Sequence, residues 1–215
     1  MRLILKRPEP PELLAYRKTP GARYAGLPAD AKQAVRQALV REQYGLCCFC
    51  MQRVQPTVAP SLRVKIAHWT PQAVDASQDL AWHNLYAACA GNEGAPRERQ
   101  HCDTRQGNEA LTLHPSNTSH VSSLRYTTQG EVHSNRDDLQ ADIETRLNLN
   151  DAALCAQRRE AVLRMADALG RRSGQTFRRT EIERAMVRCE TPDAQGYLPP
   201  FAGALMWWLR RRAPG

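Results

Sequence analysis

Seven side chains in the first half of the chain are of types that bind metal ions or activate water. They occur in the order Cys47, Cys50, His68, Asn84, Cys89, Cys102 and Asp103. Cysteine thiolates are common ligands of structural zinc, whereas His, Asn and Asp can accept a proton from water, orient a group or hold a divalent cation. The order predicts a structural zinc site with a one-metal hydrolytic site beside it.

The four zinc ligands are predicted to come from two cysteine pairs. A tetrahedral site takes neighbouring ligands from one tight turn, and Cys47-Cys48-Phe49-Cys50 supplies such a pair. The second pair is Cys89 and Cys102, which a polar loop over 90–101 separates. His101 is an alternative ligand, but the four-cysteine set leaves His68 and Asp103 for other chemistry. The remaining thiols are expected to be ordinary buried side chains, namely Cys48, Cys155 and Cys189.

His68 ends a strand-like run, where a lone histidine usually has a structural role. Asn84 and Asp103 favour a catalytic role for His68. The three residues could form a complete hydrolytic unit, in which the His deprotonates water, the Asn orients the His through its amide oxygen, and the Asp holds a divalent ion. Nearby arginines could contact flanking phosphates or simply be solvated, and these are Arg97, Arg99 and Arg105.

The charge of the chain favours a phosphate-bearing partner. Thirty Lys and Arg against 22 Asp and Glu give a formal charge of +8, although a soluble basic protein has the same balance. Arginine clusters at 158–159, 171–172, 178–179 and 210–212 could face nucleic acid or an acidic protein. The odd number of cysteines and the absence of a secretory signal favour a reducing cytoplasm, and no apolar run is long enough to span a membrane.

Three regions are predicted along the chain. Residues 1–26 are proline-rich and are expected to form an extended arm. Residues 27–110 combine a helix over 27–44, a hairpin over 54–69 and a helix beginning within 80–89 with the cysteine motif. Residues 111–215 are expected to hold a small hairpin with a turn at Gln129-Gly130 and about four helices. The predicted fold class is α+β, mainly α-helical.

The motif order resembles the ββα-metal module of HNH endonucleases. Further segments resemble the retron-associated, PtuB-like HNH family, which includes the nuclease subunit of Septu-type antiphage defence systems. These segments are Met1-Arg2-Leu3-Ile4, Arg41-Glu42-Gln43-Tyr44-Gly45-Leu46-Cys47, Ala67-His68-Trp69-Thr70-Pro71-Gln72, His101-Cys102-Asp103-Thr104-Arg105-Gln106-Gly107 and Leu198-Pro199-Pro200-Phe201. The similarity covers nearly the whole chain, and it implies an HNH zinc module embedded in the helical fold.

The resemblance assigns roles to individual residues. It makes His68 the general base, Asn84 the residue that orients the module and Asp103 a ligand of a catalytic Mg²⁺ or Mn²⁺, with structural Zn²⁺ on the four cysteines. Two positions depart from the family pattern, since Ala67 replaces an acidic residue and Gln106 replaces a lysine. We therefore expect weak metal binding, completed by water, substrate phosphate, His83 or Asn108, or else a catalytically poor module.

The resemblance also implies a biological setting. The chain would be the effector nuclease of an antiphage complex, acting on DNA and bound to an ABC-type ATPase subunit of the PtuA-like class. In a retron setting, the partners would include a reverse transcriptase and its RNA–DNA product. Two alternatives are a catalytically weak zinc-binding adaptor that docks nucleic acid or the ATPase, and an RNase that acts on structured RNA such as tRNA.

Overall fold

The computed structural model describes residues 1–56, 63–170 and 178–213, and these form a mostly helical α+β fold with two small sheets. The α-helices are α1 (Pro11–Arg17), α2 (Ala29–Glu42), α3 (Cys102–Gln106), α4 (Thr118–Ser123), α5 (Asp137–Ala141), α6 (Ala152–Ala168), α7 (Arg179–Glu190) and α8 (Ala202–Arg210). A π-helical turn, Asp142–Arg146, continues α5. The strands are β1 (Lys65–His68), β2 (Leu85–Ala88), β3 (Arg125–Tyr126) and β4 (Val132–His133). No helix in the described ranges is long and apolar enough to cross a membrane.

The first sheet pairs β1 with β2 in antiparallel register, with His68 opposite Leu85 and Lys65 opposite Ala88. The predicted hairpin within 54–69 is corrected in part, because β1 pairs with a strand that follows it; Val58, Pro60 and Leu62 lie outside the described residues. The helix predicted to begin within 80–89 is wrong. A 3₁₀ turn, Trp82–Asn84, leads directly into β2, whose four residues are all buried.

The second sheet is the predicted hairpin, in which β3 pairs with β4. Gly130 lies in its turn with φ of +88°, and a Cβ there would collide with the backbone carbonyl oxygen of Cys155. Arg158 of α6 is 1% exposed and donates hydrogen bonds to the carbonyls of Gly130 and Leu149. Arg158 therefore holds the hairpin on α6 and does not belong to a surface arginine cluster; Arg171 and Arg172 lie outside the described residues.

Two apolar clusters form the core. The larger joins α1, α2, both sheets and parts of α6 and α8, and the smaller lies where α6, α7 and α8 meet. The predicted C-terminal helices are confirmed by α5 to α8. The smaller cluster includes Ala166, Leu169, Ile182, Ala185, Cys189, Leu205, Met206, Trp208 and Leu209.

The N-terminal arm is less extended than predicted. Residues 1–10 are extended along the body, where Ile4 N–H donates to the carbonyl of Pro115, but α1 follows them. Prolines led to the expectation of little regular structure in 1–26. However, Pro11 occupies the first turn of α1, a position at which its fixed φ and missing N–H favour a helix.

A buried ion pair attaches the arm to the body. Lys6 Nζ lies 2.7 Å from Glu42 Oε1, 2.9 Å from the carbonyl oxygen of Leu85 and 4.0 Å from the centroid of the Trp82 ring. The Glu42 side chain is 1% exposed. Burial lowers the pKa of Lys6, and the Glu42 carboxylate opposes that shift.

Glu42→Ala is expected to destabilise the protein by about 3–5 kcal/mol, because it leaves the Lys6 ammonium buried without its counter-ion. Urea denaturation measures the change in unfolding free energy. The control is Glu160→Ala, which removes an exposed ion pair with Arg164 and is expected to cost less than about 1 kcal/mol. Equal losses in the two variants would contradict a special role for the buried pair.

Candidate functional site

The four predicted cysteine ligands come together in one buried cluster. The sulfur atoms of Cys47, Cys50, Cys89 and Cys102 all lie within 4.8 Å of one another. Cys47 Sγ is 3.9 Å from Cys102 Sγ, and Cys50 Sγ is 3.7 Å from Cys89 Sγ. Zinc–sulfur bonds of about 2.3 Å at tetrahedral angles require sulfur separations of roughly 3.8 Å. The cluster could therefore hold a metal ion such as zinc.

Three segments position the cluster. After α2 the chain turns sharply at Cys47, where Cys47 N–H donates to the Gln52 carbonyl and Met51 N–H donates to the Cys47 carbonyl. The Gln43 side chain donates to the carbonyls of Leu46 and Ala87 and accepts from Ala87 N–H, so it ties this turn to β2. Cys89 follows β2, and Cys102 begins α3. The cluster joins the turn, the first sheet and α3.

The electrostatics of the cluster favour a cation. Burial opposes ionisation of Cys47, but hydrogen bonds from the surrounding thiols, led by Cys102, hold its pKa well below the ordinary value. Burial raises the pKa of Cys102 well above it. Four buried thiolates would repel one another, and a divalent ion is the group that lets all four ionise.

His101 lies beside the cluster, with Nδ1 3.2 Å from Cys102 Sγ and 3.9 Å from Cys89 Sγ. Four cysteines are enough for a tetrahedral site, so His101 is not needed as a ligand and is placed to donate a hydrogen bond to the Cys102 sulfur. The other three thiols are outside the cluster; Cys48 and Cys189 are buried and Cys155 is half-buried.

His68 is the last residue of β1 and is 9% exposed. Its Nε2 lies 2.9 Å from the backbone carbonyl oxygen of Asp79. A carbonyl oxygen only accepts, so Nε2 carries the hydrogen and Nδ1 keeps a lone pair. Burial lowers the pKa of His68, which favours the neutral ring. His68 therefore has the tautomer and the charge state of a base that acts through Nδ1.

Tyr24 packs edge-on against the His68 ring, with centroids 4.5 Å apart. The buried Asp79 carboxylate holds this segment by accepting from Tyr24 N–H and from Arg23 Nε, at 3.1 and 2.7 Å. Sequence reasoning missed Tyr24, because residues from the N-terminal region carry no spacing relation to the motif.

Asn84 is buried and joins two loops. Its Oδ1 accepts from Thr70 N–H at 2.7 Å, and its Nδ2 donates to the carbonyls of Thr70 and Gln78. The expectation that the amide oxygen of Asn84 orients His68 directly is wrong, since the carbonyl of Asp79 orients the ring. Asn84 instead fixes the loop that follows β1 against the turn that precedes β2.

Asp103 follows Cys102 on α3, and its side chain is 20% exposed. Burial raises the pKa of its carboxyl, and the nearby charge of Lys65 is the main effect that opposes this shift. Lys65 Nζ is 3.3 Å from Asp103 Oδ2. Sequence reasoning also missed Lys65, because a lysine on a short strand has the pattern of an ordinary surface residue.

Two of the three predicted phosphate-binding arginines already have protein partners. Arg97 pairs with Glu109 at 2.9 Å, and the Arg105 guanidinium donates to the carbonyls of Thr145 and Arg97. Arg99 is exposed at the end of a 3₁₀ turn, Arg97–Arg99. Arg97 and Arg105 thus stabilise the loop between the second pair of cysteines.

The two residues considered as further metal ligands are both exposed. His83 Nε2 lies 3.1 Å from the side-chain oxygen of Gln78, and Asn108 follows the end of α3. Within the described ranges, the four cysteines are the only set of three or more His, Cys, Asp or Glu side chains close enough to share an ion.

No protein-family model matches the chain, and no curated protein matches it.

Proposed function

We propose that this protein is an HNH-type endonuclease that hydrolyses nucleic-acid phosphodiesters. The observation that carries the proposal is the hydrogen bond of His68, whose Nε2 lies 2.9 Å from the Asp79 carbonyl oxygen, an arrangement that leaves Nδ1 free to accept a proton. The strand–strand–helix order of β1, β2 and α3 around four clustered cysteines supports an HNH-type zinc module.

In the proposed reaction, His68 Nδ1 accepts a proton from a water molecule as the water oxygen bonds to phosphorus. The bond between phosphorus and the 3′ oxygen breaks, and the leaving oxygen takes a proton from solvent. No covalent enzyme intermediate forms. Asn84 and Asp79 act as positioning residues, because their hydrogen bonds fix the loops and the ring rather than contact the reacting atoms.

The resemblance also implies a catalytic Mg²⁺ or Mn²⁺ on Asp103, and the residues around Asp103 suit such an ion poorly. Ala67, where the family has an acidic residue, is fully buried, and the Lys65 ammonium already pairs with the Asp103 carboxylate. An ion there would have to displace Lys65 before Glu93, Thr104, water or substrate phosphate could complete its ligands. The base chemistry of His68 does not require that ion.

Positive charge near His68 supports a nucleic-acid substrate. Lys32 Nζ lies 5.5 Å from the centroid of the Tyr24 ring, which itself packs on His68. Arg36 is close enough to lower the pKa of Tyr24 against the effect of burial, which raises it. Both cations belong to α2, so this helix offers a phosphate-binding surface beside the proposed base.

A pH profile is expected to report the proposed base. Protonation of Nδ1 removes the base, so cleavage should fall as the pH drops through the pKa of His68. Because burial lowers that pKa, the acid limb should have its midpoint below about 6.5, the ordinary histidine value. Single-turnover rates measure it, with zinc content checked at each pH. A midpoint above that value would contradict a buried, neutral His68.

The biological partners are proposed from the resemblance. They are an ABC-type ATPase and, in a retron setting, a reverse transcriptase with its RNA–DNA product. The seven free cysteines suit a cytoplasmic setting, where thiols stay reduced. Co-purification of the tagged chain with the ATPase expressed beside it tests the first of these partners.

A second candidate is a zinc-binding adaptor that docks nucleic acid or the ATPase without cutting. The observations that favour it are the buried Ala67 and the pairing of Asp103 with Lys65. A third candidate is an RNase, because the same base chemistry can act on either sugar. All three candidates predict a zinc-loaded protein, but only two predict cleavage.

The test is incubation of zinc-loaded protein with plasmid, single-stranded DNA and tRNA, alone and with the ATPase, and with or without Mg²⁺ or Mn²⁺. The nuclease proposal expects cleavage of at least one substrate that is lost in His68→Ala. Cleavage of tRNA alone would favour the RNase. Absence of cleavage by folded, partner-bound protein would leave the adaptor.

A further inference from the structure

Three oxygen atoms from separate segments surround the ammonium of Lys65. Lys65 Nζ lies 3.0 Å from Thr104 Oγ1, 3.3 Å from Asp103 Oδ2 and 3.4 Å from Glu93 Oε1. Lys65 extends from β1, Glu93 lies in the loop after β2, and the other two residues belong to α3. The fold therefore builds a cation position from oxygen atoms and places a lysine in it.

The oxygen set resembles one that a divalent metal would take. Two carboxylates and a hydroxyl are hard donors of the kind that Mg²⁺ and Mn²⁺ prefer. A metal bound to Asp103 Oδ2 at about 2.1 Å would lie no more than about 5.4 Å from the Lys65 ammonium, which is 3.3 Å from the same atom. Like charges at such a separation repel strongly, so the metal and Lys65 exclude each other.

Lys65 remains accessible to a ligand. The Lys65 side chain is 24% exposed and the Glu93 side chain is 49% exposed, so one side of the Lys65 ammonium faces solvent. Lys65 and His68 are the first and last residues of β1, about 10 Å apart along the strand. A nucleic-acid backbone bound at the proposed base can span that distance and bring one of its phosphates to the Lys65 charge.

We propose that Lys65 takes the place of the divalent cation in this site, pairing with Asp103 and supplying the positive charge that a nucleic-acid phosphate meets. The phosphate contact rests on the proposed nuclease function, whereas the exclusion of metal from Asp103 does not. Lys65 is expected to contact the phosphate from its solvent-exposed side, and the chain is expected to bind nucleic acid without Mg²⁺ or Mn²⁺.

Binding of Mn²⁺ tests the exclusion. Zinc-loaded wild type, Asp103→Asn, Lys65→Met and a Lys65→Met/Asp103→Asn double variant are titrated with Mn²⁺ and followed by electron paramagnetic resonance. Wild type should show no saturable site, Lys65→Met should bind one Mn²⁺ per chain, and the double variant should lose that site. Saturable binding by wild type that Asp103→Asn abolishes would overturn the exclusion, as would a Lys65→Met protein that stays folded and binds no Mn²⁺.

Salt-dependent binding tests the phosphate contact. A single-stranded oligonucleotide is titrated in metal-depleted buffer against zinc-loaded protein carrying His68→Ala, with and without Lys65→Met. Loss of one phosphate contact should lower the slope of log K against log salt by about 0.7. The control is Arg164→Met, which removes one exposed charge on α6 and should leave the slope unchanged.

The two halves of the proposal fail in different ways. An unchanged slope in Lys65→Met would overturn the phosphate contact even if Mn²⁺ remains excluded. Oligonucleotide binding that requires Mg²⁺ or Mn²⁺ in wild type would overturn the metal-free site. If no variant binds any oligonucleotide, the proposed nuclease function fails together with the phosphate contact, while the Mn²⁺ titration still decides the exclusion.

Discussion

Cys89→Ser is expected to release zinc and to unfold the unit formed by β1, β2 and α3. A serine hydroxyl stays protonated at neutral pH and is a poor zinc ligand, so three buried thiols remain around an incomplete site. Structural zinc contributes about 10–16 kcal/mol to folding in small domains at neutral pH. The contribution of zinc is therefore as large as the total unfolding free energy of a typical domain, about 5–15 kcal/mol. Elemental analysis should give one zinc per wild-type chain and less in the variant, with a lost thermal transition.

The control for this variant is Cys155→Ser. Cys155 is half-buried on α6, lies outside the cluster and is not expected to affect metal content. Its zinc content and thermal transition should match those of the wild type. A Cys89→Ser protein that keeps one zinc per chain and melts like the wild type would contradict the assignment of the four cysteines as a structural metal site.

His68→Ala is expected to slow cleavage by about 10²- to 10⁴-fold, the usual contribution of a general base. The variant also removes a buried hydrogen bond to the Asp79 carbonyl, so a second variant, His68→Gln, is made in parallel. Glutamine supplies an N–H for the carbonyl but cannot accept a proton from water. Single-turnover cleavage by zinc-loaded protein measures both variants, and both should be equally impaired.

His133→Ala is the matched control for the loss of an imidazole. His133 is half-exposed on β4, in the second sheet, and its Nε2 lies 3.5 Å from Glu131 Oε2. Its removal should leave the cleavage rate unchanged. If His68→Gln folds, holds zinc and cuts as fast as the wild type, His68 is not the base. If the His68 variants instead bind the ATPase and still protect cells against phage, the adaptor becomes the better description.

The cysteine cluster was predictable because its signal is chemical. Few residue types hold zinc, and the reduced cysteines of this chain offered a small number of combinations. The close approach of Cys47, Cys50, Cys89 and Cys102 confirms that prediction of a shared site. The helices α2 and α6 to α8 were predictable for a different reason, since apolar residues recur at helical spacing and Gly170, with φ of +75°, follows the end of α6.

Short elements escaped prediction where local pattern and tertiary environment disagree. The strand β2 is four residues long and buried along its whole length, so it has no alternation that distinguishes it from a helix. In α1, the prolines that argued against structure include the residue that begins the helix. Such segments take their conformation from what they pack against, which a single sequence does not reveal.

The surroundings of the proposed base were the least predictable part of the site. Tyr24 reaches His68 from the N-terminal region, and the Asp79 carbonyl orients the ring through a backbone atom that leaves no trace in residue type. Arg158 shows the opposite error, since its charge indicated a surface role although it is buried. Long-range contacts decided these roles, and spacing carries no information about them.

The loop over 90–101 has an evolutionary consequence. Both of its ends are anchored, because Cys89 precedes it and Cys102 follows it in the same cluster, and most of residues 92–99 are exposed. Lengthening a closed loop costs little, about 0.6 kcal/mol for each doubling. Insertions there, away from Glu93, would leave His68 and Asp103 in place. This loop can therefore lengthen during evolution at low cost to the fold, and a new recognition segment can be grafted into it.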